Sequence, residues 1–309
     1  MTTSVALRLP IRARTANHLR RDHHLAILLL LPAAIAVLVV MIIPLGFALF
    51  ASFYDYSLGQ QNGMVFVFFG NYVRFFTDPI AIQSLVNTLI FTAISLIACL
   101  SLGVGISVML KDLPRGVANF LRGIYAMPVL ISPIIVGLIW RYMYDPTYGF
   151  VYYLLGFVGL EDFGGLTSSA TALLCIVAAD VWHATPFIIL VASAGLTVIP
   201  DELYEAAYID GASSTKIFFY ITLPLLGKIL TVLILIRGTD AFRIFDLVYG
   251  LTGGGPANST TSLSVYAFKE AFENNQMGFA MAVSMITLIC LIVLFGPFMR
   301  NSARSGSEE

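Results

Sequence analysis

Two clusters of polar side chains lie inside long apolar stretches of the sequence. The first combines an acid and an imidazole with two apolar side chains: Asp180, His183, Ala184 and Phe187. The second combines a cation and an acid with two apolar side chains: Arg237, Asp240, Ala241 and Ile244. Both follow the i, i+3, i+4, i+7 spacing that places residues on one face of a helix. The chemistry that these groups could do is binding, through hydrogen bonds to ligand hydroxyls and apolar contact with a ring.

The ionisable members of the clusters are functional candidates because each costs about 2.5–3.5 kcal/mol inside a membrane helix on insertion scales. They also have structural interpretations. Arg237 and Asp240 could form an ion pair, within one helix or between helices, that only fixes packing. His183 could be a hydrogen-bonded buried imidazole. Arg243 and Asp246, nearer the end of the same stretch, are typical of charges that anchor a loop.

The composition indicates that lipid surrounds most of the chain. Of 309 residues, 58% are hydrophobic and only 11% are charged, with a mean hydropathy of +0.88. Soluble domains contain about 25% charged residues. A chain of this kind cannot cover itself with polar surface in water, so we predict a membrane protein. The three cysteines, Cys99, Cys175 and Cys290, lie in apolar runs, which argues against a disulfide framework and a metal site.

Six apolar stretches are long enough to cross a bilayer, which takes about 20 residues. Their apolar character is continuous rather than alternating, so the predicted fold class is all-α, a polytopic bundle of six transmembrane helices. Several stretches contain prolines, which a membrane bundle tolerates because neighbouring groups satisfy the freed carbonyls. The stretches lie at residues 25–53, 84–110, 120–143, 170–199, 219–238 and 278–299.

The distribution of lysine and arginine orients the bundle. With the N-terminus in the cytoplasm, 12 of the 17 basic residues fall inside, as the positive-inside rule requires. The sequence therefore predicts an N-in, C-in orientation and places residues 200–224 in the cytoplasm. The inside residues are Arg8, Arg12, Arg14, Arg20, Arg21, Lys111, Arg115, Arg122, Lys216, Lys228, Arg300 and Arg304.

Residues 199–224 form a charged segment between the fourth and fifth apolar stretches. Pro200 suits the first turn of a helix, and the acids that follow it are favoured there by the helix dipole. Gly211 is a natural helix stop, and Ser213 or Ser214 can cap a second short helix. We predict a helix, a glycine bend and a helix that lie across the membrane face. The alternative is a plain amphipathic linker at the interface.

The order of residues in this segment resembles a family signature. It is similar to the EAA signature of ABC importer permeases. The matching residues are Glu205-Ala206-Ala207, then Gly211 after a gap of three residues, then Ile221-x-Leu223-Pro224 after a gap of nine. The Asp210-Gly211-Ala212 version resembles the carbohydrate-uptake branch, over roughly residues 84–297. The resemblance implies a type I ABC importer permease fold and a coupling helix that docks in a cleft of an ATP-hydrolysing subunit. On this resemblance, the ATPase-coupling residues are Glu205, Ala206, Ala207, Asp210, Gly211 and Ala212.

No phosphate-binding loop is present in the sequence. Gly227-Lys228 is followed by Ile229, and Thr222 stands where the motif needs its first glycine. We therefore expect no cofactor or metal in this chain, with ATP and Mg bound by partner ATPase subunits. The resemblance implies a heterodimer with a second permease subunit, two ATP-binding subunits, an extracytoplasmic solute-binding protein and a sugar substrate, in a prokaryotic inner membrane. No nucleic-acid partner is expected.

The two polar clusters fall where the resemblance places sugar contacts. The correspondence runs through Thr185-Pro186 and through the turn at residues 251–256. An acid, an imidazole and a guanidinium stand where relatives have largely amide, aromatic or small side chains. The location of the site therefore transfers, whereas the identity of the sugar does not. We predict that the eight residues of the two clusters bind substrate.

The function that accounts best for the sequence is the transmembrane permease subunit of an ATP-driven, binding-protein-dependent importer. Its substrate would be a di- or oligosaccharide or a sugar derivative, moved by alternating access. An ion-coupled secondary carrier would explain the buried charges but leaves residues 199–224 without a purpose. A membrane-embedded enzyme would need more than one histidine, and a scaffold without transport is a further alternative. The predicted domains are a basic cytoplasmic tail at 1–24, a six-span permease domain at 25–299 with its core at 84–297 and its coupling segment at 200–224, and a cytoplasmic tail at 300–309.

Overall fold

A computed structural model describes residues 28–57, 59, 63–157, 159 and 163–305. The predicted tail at residues 1–24 lies outside the described residues, as do residues 306–309. The all-α class is confirmed, with one small antiparallel hairpin of β1 (Tyr54–Asp55) and β2 (Val65–Phe66) in the connection that follows the first long helix. The helices of the described chain are α1 (Leu28–Ala51), α2 (Gly70–Thr77), α3 (Pro79–Lys111), α4 (Arg115–Ala126), α5 (Pro133–Met143), α6 (Phe150–Gly156), α7 (Ala172–Leu196), α8 (Asp201–Ile209), α9 (Ser214–Leu225), α10 (Gly227–Phe242), α11 (Asp246–Leu251), α12 (Leu263–Phe268) and α13 (Met277–Ser305).

Four of these helices are long and apolar enough to cross a membrane singly, namely α1, α3, α7 and α13. The predicted third and fifth spans are instead broken. Residues Arg115–Leu130 and α5 meet at 94°, and α9 and α10 meet at 70°. By length and composition, the described chain thus has four candidate spans, or up to six if each bent pair counts as one.

Prolines explain the sharper break. Pro128 opens a short 3-10 turn at Pro128–Leu130, and Pro133 begins α5. Proline has no N–H and disfavours helical geometry in the residue before it, so the helix cannot continue through this stretch. Pro186, by contrast, lies inside α7, which runs unbroken to Leu196.

Helices α3 and α7 form the central pair of the bundle. At Gly103 of α3, a Cβ atom would lie only 2.5 Å from Cγ2 of Ile188 in α7. Close by, the Ser107 hydroxyl donates to the Ile189 carbonyl across the same interface at 3.1 Å. Small residues that let two backbones approach, together with an interhelical hydrogen bond, are the usual basis of helix association in a membrane.

Other glycines bring shorter elements together around this pair. A Cβ on Gly137 of α5 would lie 3.2 Å from the Cα of Gly250 in α11. One on Gly238 of α10 would lie 2.2 Å from the ring of Phe295 in α13. The first contact joins α5 to α11, and the second joins α10 to α13. The site described next lies between α5, α7, α10 and α11.

Candidate functional site

A cavity of about 430 Å³ opens between α5, α7, α10 and α11. Ligand pockets in proteins have volumes of about 300–1,000 Å³, so a small molecule could fit. Seven of the eight residues predicted to bind substrate line it. The lining is Val129, Pro133, Asp180, His183, Ala184, Phe187, Ile236, Arg237, Asp240, Arg243, Ile244, Phe245, Asp246 and Leu247.

The eighth predicted residue, Ala241, does not line the cavity. Its side chain is fully buried in the apolar core, in a cluster that includes Val248 of α11 and Ile176 of α7. The i, i+3, i+4, i+7 pattern places residues on a broad helix face. Helix α11 packs against one edge of that face, so Ala241, which lies at that edge, is part of the apolar core.

Asp180 and Arg237 form a buried ion pair across α7 and α10. Arg237 Nη2 contacts Asp180 Oδ2, and both side chains are more than nine-tenths buried. Ser95 of α3 completes the network, because its hydroxyl donates to Asp180 Oδ2 while it accepts from Arg237 Nη2 at 2.7 Å. The network therefore joins three helices at the cavity wall, and Arg237 Nε has no hydrogen-bond partner among the described residues.

Arg237 thus pairs with Asp180 and not with Asp240, the partner that the sequence suggested. Asp240 pairs instead with Arg243 at 3.1 Å, one turn along the chain. Both are solvent-accessible, with side chains 57% and 61% exposed. Arg243 and Asp246, interpreted from the sequence as loop anchors, both line the cavity. The cavity therefore has a buried neutral ion pair in its wall and three accessible charges.

His183 contacts the backbone at the proline break. Its Nε2 lies 3.0 Å from the Ile131 carbonyl oxygen, so this nitrogen carries the proton and donates. The carbonyl at residue 131 lies in the stretch between Pro128 and Pro133 that leaves the helical hydrogen-bond pattern. One ring nitrogen of His183 is therefore hydrogen-bonded, as the structural interpretation requires, but the residue is only half-buried and its side chain lines the cavity.

The segment at residues 200–224, here called the coupling segment, has the predicted helix–bend–helix shape. Pro200 precedes α8, and Gly211 has φ +73°, a left-handed conformation that glycine adopts without strain. The Gly211 N–H donates to the Tyr208 carbonyl and the Ala212 N–H to that of Ala207, which closes the end of α8. Ser213 then caps α9 by accepting from the Lys216 N–H.

The surface of the coupling segment is exposed and partly apolar. Ile209 and Tyr220 are 87% and 80% exposed, and Tyr208 and Phe219 are more than half exposed. Of the six residues with a predicted coupling role, four are exposed and Ala207 and Ala212 are intermediate. The segment thus exposes both large apolar side chains and the acids Glu205 and Asp210.

A model of one protein family matches almost the whole chain. It covers residues 20–302 and is described as the binding-protein-dependent transport system inner membrane component. The chain belongs to this family. It is therefore an inner-membrane permease of an ABC importer, which is a transport subunit, and the EAA signature in its coupling segment is typical of such permeases.

Relatives of known type agree with this assignment. The permease is 36% identical over 273 residues to the trehalose/maltose transport system permease protein MalF of Thermococcus litoralis, covering 88% of this chain and 91% of the relative. It is 33% identical over 285 residues to the probable ABC transporter permease protein YurN of Bacillus subtilis, covering 91% and 97%.

A solved structure shows the same fold. It is a bacterial ABC transporter involved in the import of the acidic polysaccharide alginate, with a TM-score of 0.79. The match covers 94% of the permease and 99% of the solved chain at 23% sequence identity. The type I importer permease fold predicted from the resemblance is therefore confirmed.

Proposed function

We propose that this permease is one of two membrane subunits of an ATP-driven importer of a di- or oligosaccharide or a sugar derivative. The observation that carries the proposal is the exposed coupling segment, bent at Gly211 and carrying the family's signature on its surface. The sugar class is supported by relatives whose names include trehalose, maltose and diacetylchitobiose. A heterodimer with a second permease, two ATPase subunits that bind ATP and Mg, and a solute-binding protein would complete the importer.

The cavity suits a polyhydroxylated ligand. The accessible charges of Asp240, Arg243 and Asp246 can exchange hydrogen bonds with hydroxyl groups, and the rings of Phe187 and Phe245 offer apolar surface to a sugar face. The buried pair of Asp180 and Arg237 cancels its own charge, so a neutral ligand can enter without meeting an isolated buried ion.

Transport would follow from alternating access coupled to ATP. In the N-in, C-in orientation the coupling segment faces the cytoplasm, where ATPase subunits close on binding ATP and open after hydrolysis. The segment must bind those two states with different affinity, because a contact of equal strength in both shifts no equilibrium. The difference in contact energy then favours cavity opening to one side or the other.

Reconstitution tests the proposal directly. The permease is placed in liposomes with its second permease and ATPase subunits, and the solute-binding protein is added outside. Uptake of radiolabelled trehalose and maltose is then measured with ATP, with a non-hydrolysable ATP analogue, and with an imposed proton or sodium gradient. ATP-dependent uptake is expected. Uptake that an ion gradient drives without ATP would make the chain a secondary carrier and reject the importer.

A further inference from the structure

One lysine joins the coupling segment to the end of α3. Lys111 is the last residue of α3, and its Nζ lies 3.3 Å from Asp201 Oδ1. The same ammonium lies 3.3 Å from the centroid of the Tyr204 ring. Asp201 and Tyr204 belong to successive turns of α8, so one cation contacts the first half of the coupling segment twice.

Tyr204 extends this contact to the second half of the segment. Its hydroxyl lies 3.3 Å from Oγ1 of Thr222, a buried residue of α9. Tyr204 therefore contacts Lys111 through its ring and Thr222 through its hydroxyl. Both halves of the coupling segment, although separated by the bend at Gly211, are thereby tied to the end of the same helix.

The other relevant part of α3 is at the cavity. Ser95, which bonds both members of the Asp180–Arg237 pair, precedes Lys111 by sixteen residues in the same uninterrupted helix. At 1.5 Å per residue this separation is about 24 Å. Between them, Gly103 and Ser107 pack α3 tightly on α7, the helix that carries Asp180. A displacement at Lys111 must therefore move a packed pair of helices that reaches the cavity wall.

We propose that Lys111 is a positioning residue that fixes the coupling segment to α3, so that movement of the segment reaches the Ser95–Asp180–Arg237 network. This inference rests on the proposed function. Two features favour a positional role over surface charge alone. The Lys111 side chain is only 27% exposed, and it meets a ring face, an arrangement in which partial desolvation strengthens the cation–π contact.

The main test measures the amount of sugar moved for each ATP hydrolysed. The probe is whichever of radiolabelled trehalose and maltose the wild-type complex takes up in liposomes. Lys111→Met keeps the apolar stem and removes the charge, and it should lower the ratio of sugar to ATP about two- to fivefold, the factor expected for a partly exposed cation–π contact. Lys111→Arg should restore the ratio, because guanidinium also pairs with carboxylates and stacks on rings.

Two controls separate the contacts. Arg115→Met removes an exposed cation on α4, outside the coupling segment, that has no ion pair or ring contact with the described residues, and it should leave the ratio unchanged. Tyr204→Phe keeps the ring beneath Lys111 but removes the hydroxyl that meets Thr222. Its ratio should lie between those of the wild type and Lys111→Met, because only the first half of the segment stays tied.

A cross-link supplies an independent measurement. Lys111→Cys and Asp201→Cys are joined by a short bifunctional methanethiosulfonate, which forms a disulfide with each thiol, releases methanesulfinate and is cleaved again by a reductant; it replaces the native contact with a covalent one. If the segment and α3 move together, the cross-linked transporter keeps ATP-driven uptake. Loss of uptake that returns on reduction would show that the two must separate, and would overturn the inference. This measurement decides the matter even if Lys111→Met fails to retain the ATPase subunits.

The outcomes for the inference and for the proposed function are distinct. A wild-type complex without ATP-driven uptake would count against the proposed function. If the wild-type complex transports and Lys111→Met has an unchanged ratio of sugar to ATP, the positioning role of Lys111 is rejected and the proposed function stands.

Discussion

Replacing Gly211 in the coupling segment should weaken the binding of the ATPase through backbone conformation alone. Gly211 has φ +73°, and a Cβ atom built there meets no heavy atom within 4 Å. A side chain at this position therefore causes no clash within the chain. Its cost comes from the left-handed conformation, which is unfavourable for an L-residue by roughly 1–2 kcal/mol and worst for a β-branched one.

The expected magnitude follows from that cost. In Gly211→Val the residue leaves the left-handed region, and α8 and α9 no longer hold the angle that a partner would recognise. Restoring the angle on binding costs about 1–2 kcal/mol, which corresponds to about a 5- to 30-fold loss of affinity. Gly211→Asn should bind nearly as well as the wild type, because asparagine tolerates this conformation.

The assay titrates purified ATPase subunit against permease complexes in detergent or nanodiscs and compares dissociation constants. Valine and asparagine are similar in size, so a simple clash with the partner would weaken both variants equally. Gly116→Val is the positional control, since Gly116 is exposed on α4, has open space around it and lacks a positive φ. Equal affinities for the valine and asparagine variants would refute the conformational argument.

Three further substitutions test the cavity and the packing around it. Asp180→Asn should destabilise the permease by about 3–5 kcal/mol because it leaves Arg237 buried without its counter-ion. The double variant Asp180→Leu with Arg237→Met removes both charges, so its melting temperature in detergent should return most of the way to that of the wild type. Asp240→Ala should raise the substrate concentration needed for half-maximal uptake while complex assembly stays intact. It should cost less than about 1 kcal/mol of stability because its ion pair with Arg243 is exposed. An unchanged half-maximal concentration would show that Asp240 has only a structural role. Gly103→Ala should destabilise by about 1–3 kcal/mol, since its Cβ would lie 2.5 Å from a side chain of α7, whereas Gly105→Ala, with open space around it, should not lower the melting temperature.

The local signals in the sequence predicted the coupling segment well. A proline start, a glycine stop and a serine cap each act within a few residues, and the structure has α8 beginning after Pro200, a bend at Gly211 and a cap at Ser213. The helical spacing of the two polar clusters likewise predicted seven residues of the cavity lining. Signals of this kind need no knowledge of how the helices pack.

Contacts between distant parts of the chain were not predictable in the same way. Ser95 is an unremarked serine in an apolar stretch, and only the approach of α3 to α7 and α10 gives it two charged partners. Arg237 pairs with Asp180, 57 residues away, rather than with its neighbour Asp240. The two bends are intermediate cases, because prolines at 128 and 133 mark a break whereas the 94° angle depends on what α5 packs against.

The contact of His183 with the Ile131 carbonyl bears on how such a site can change during evolution. The acceptor belongs to the main chain at a proline break, so every amino acid at position 131 would present the same oxygen. The Ile131 side chain packs against the apolar core, so substitutions there can change that packing without deleting the hydrogen-bonding atom. The orientation of His183 can therefore be inherited unchanged while the side chains around it diverge.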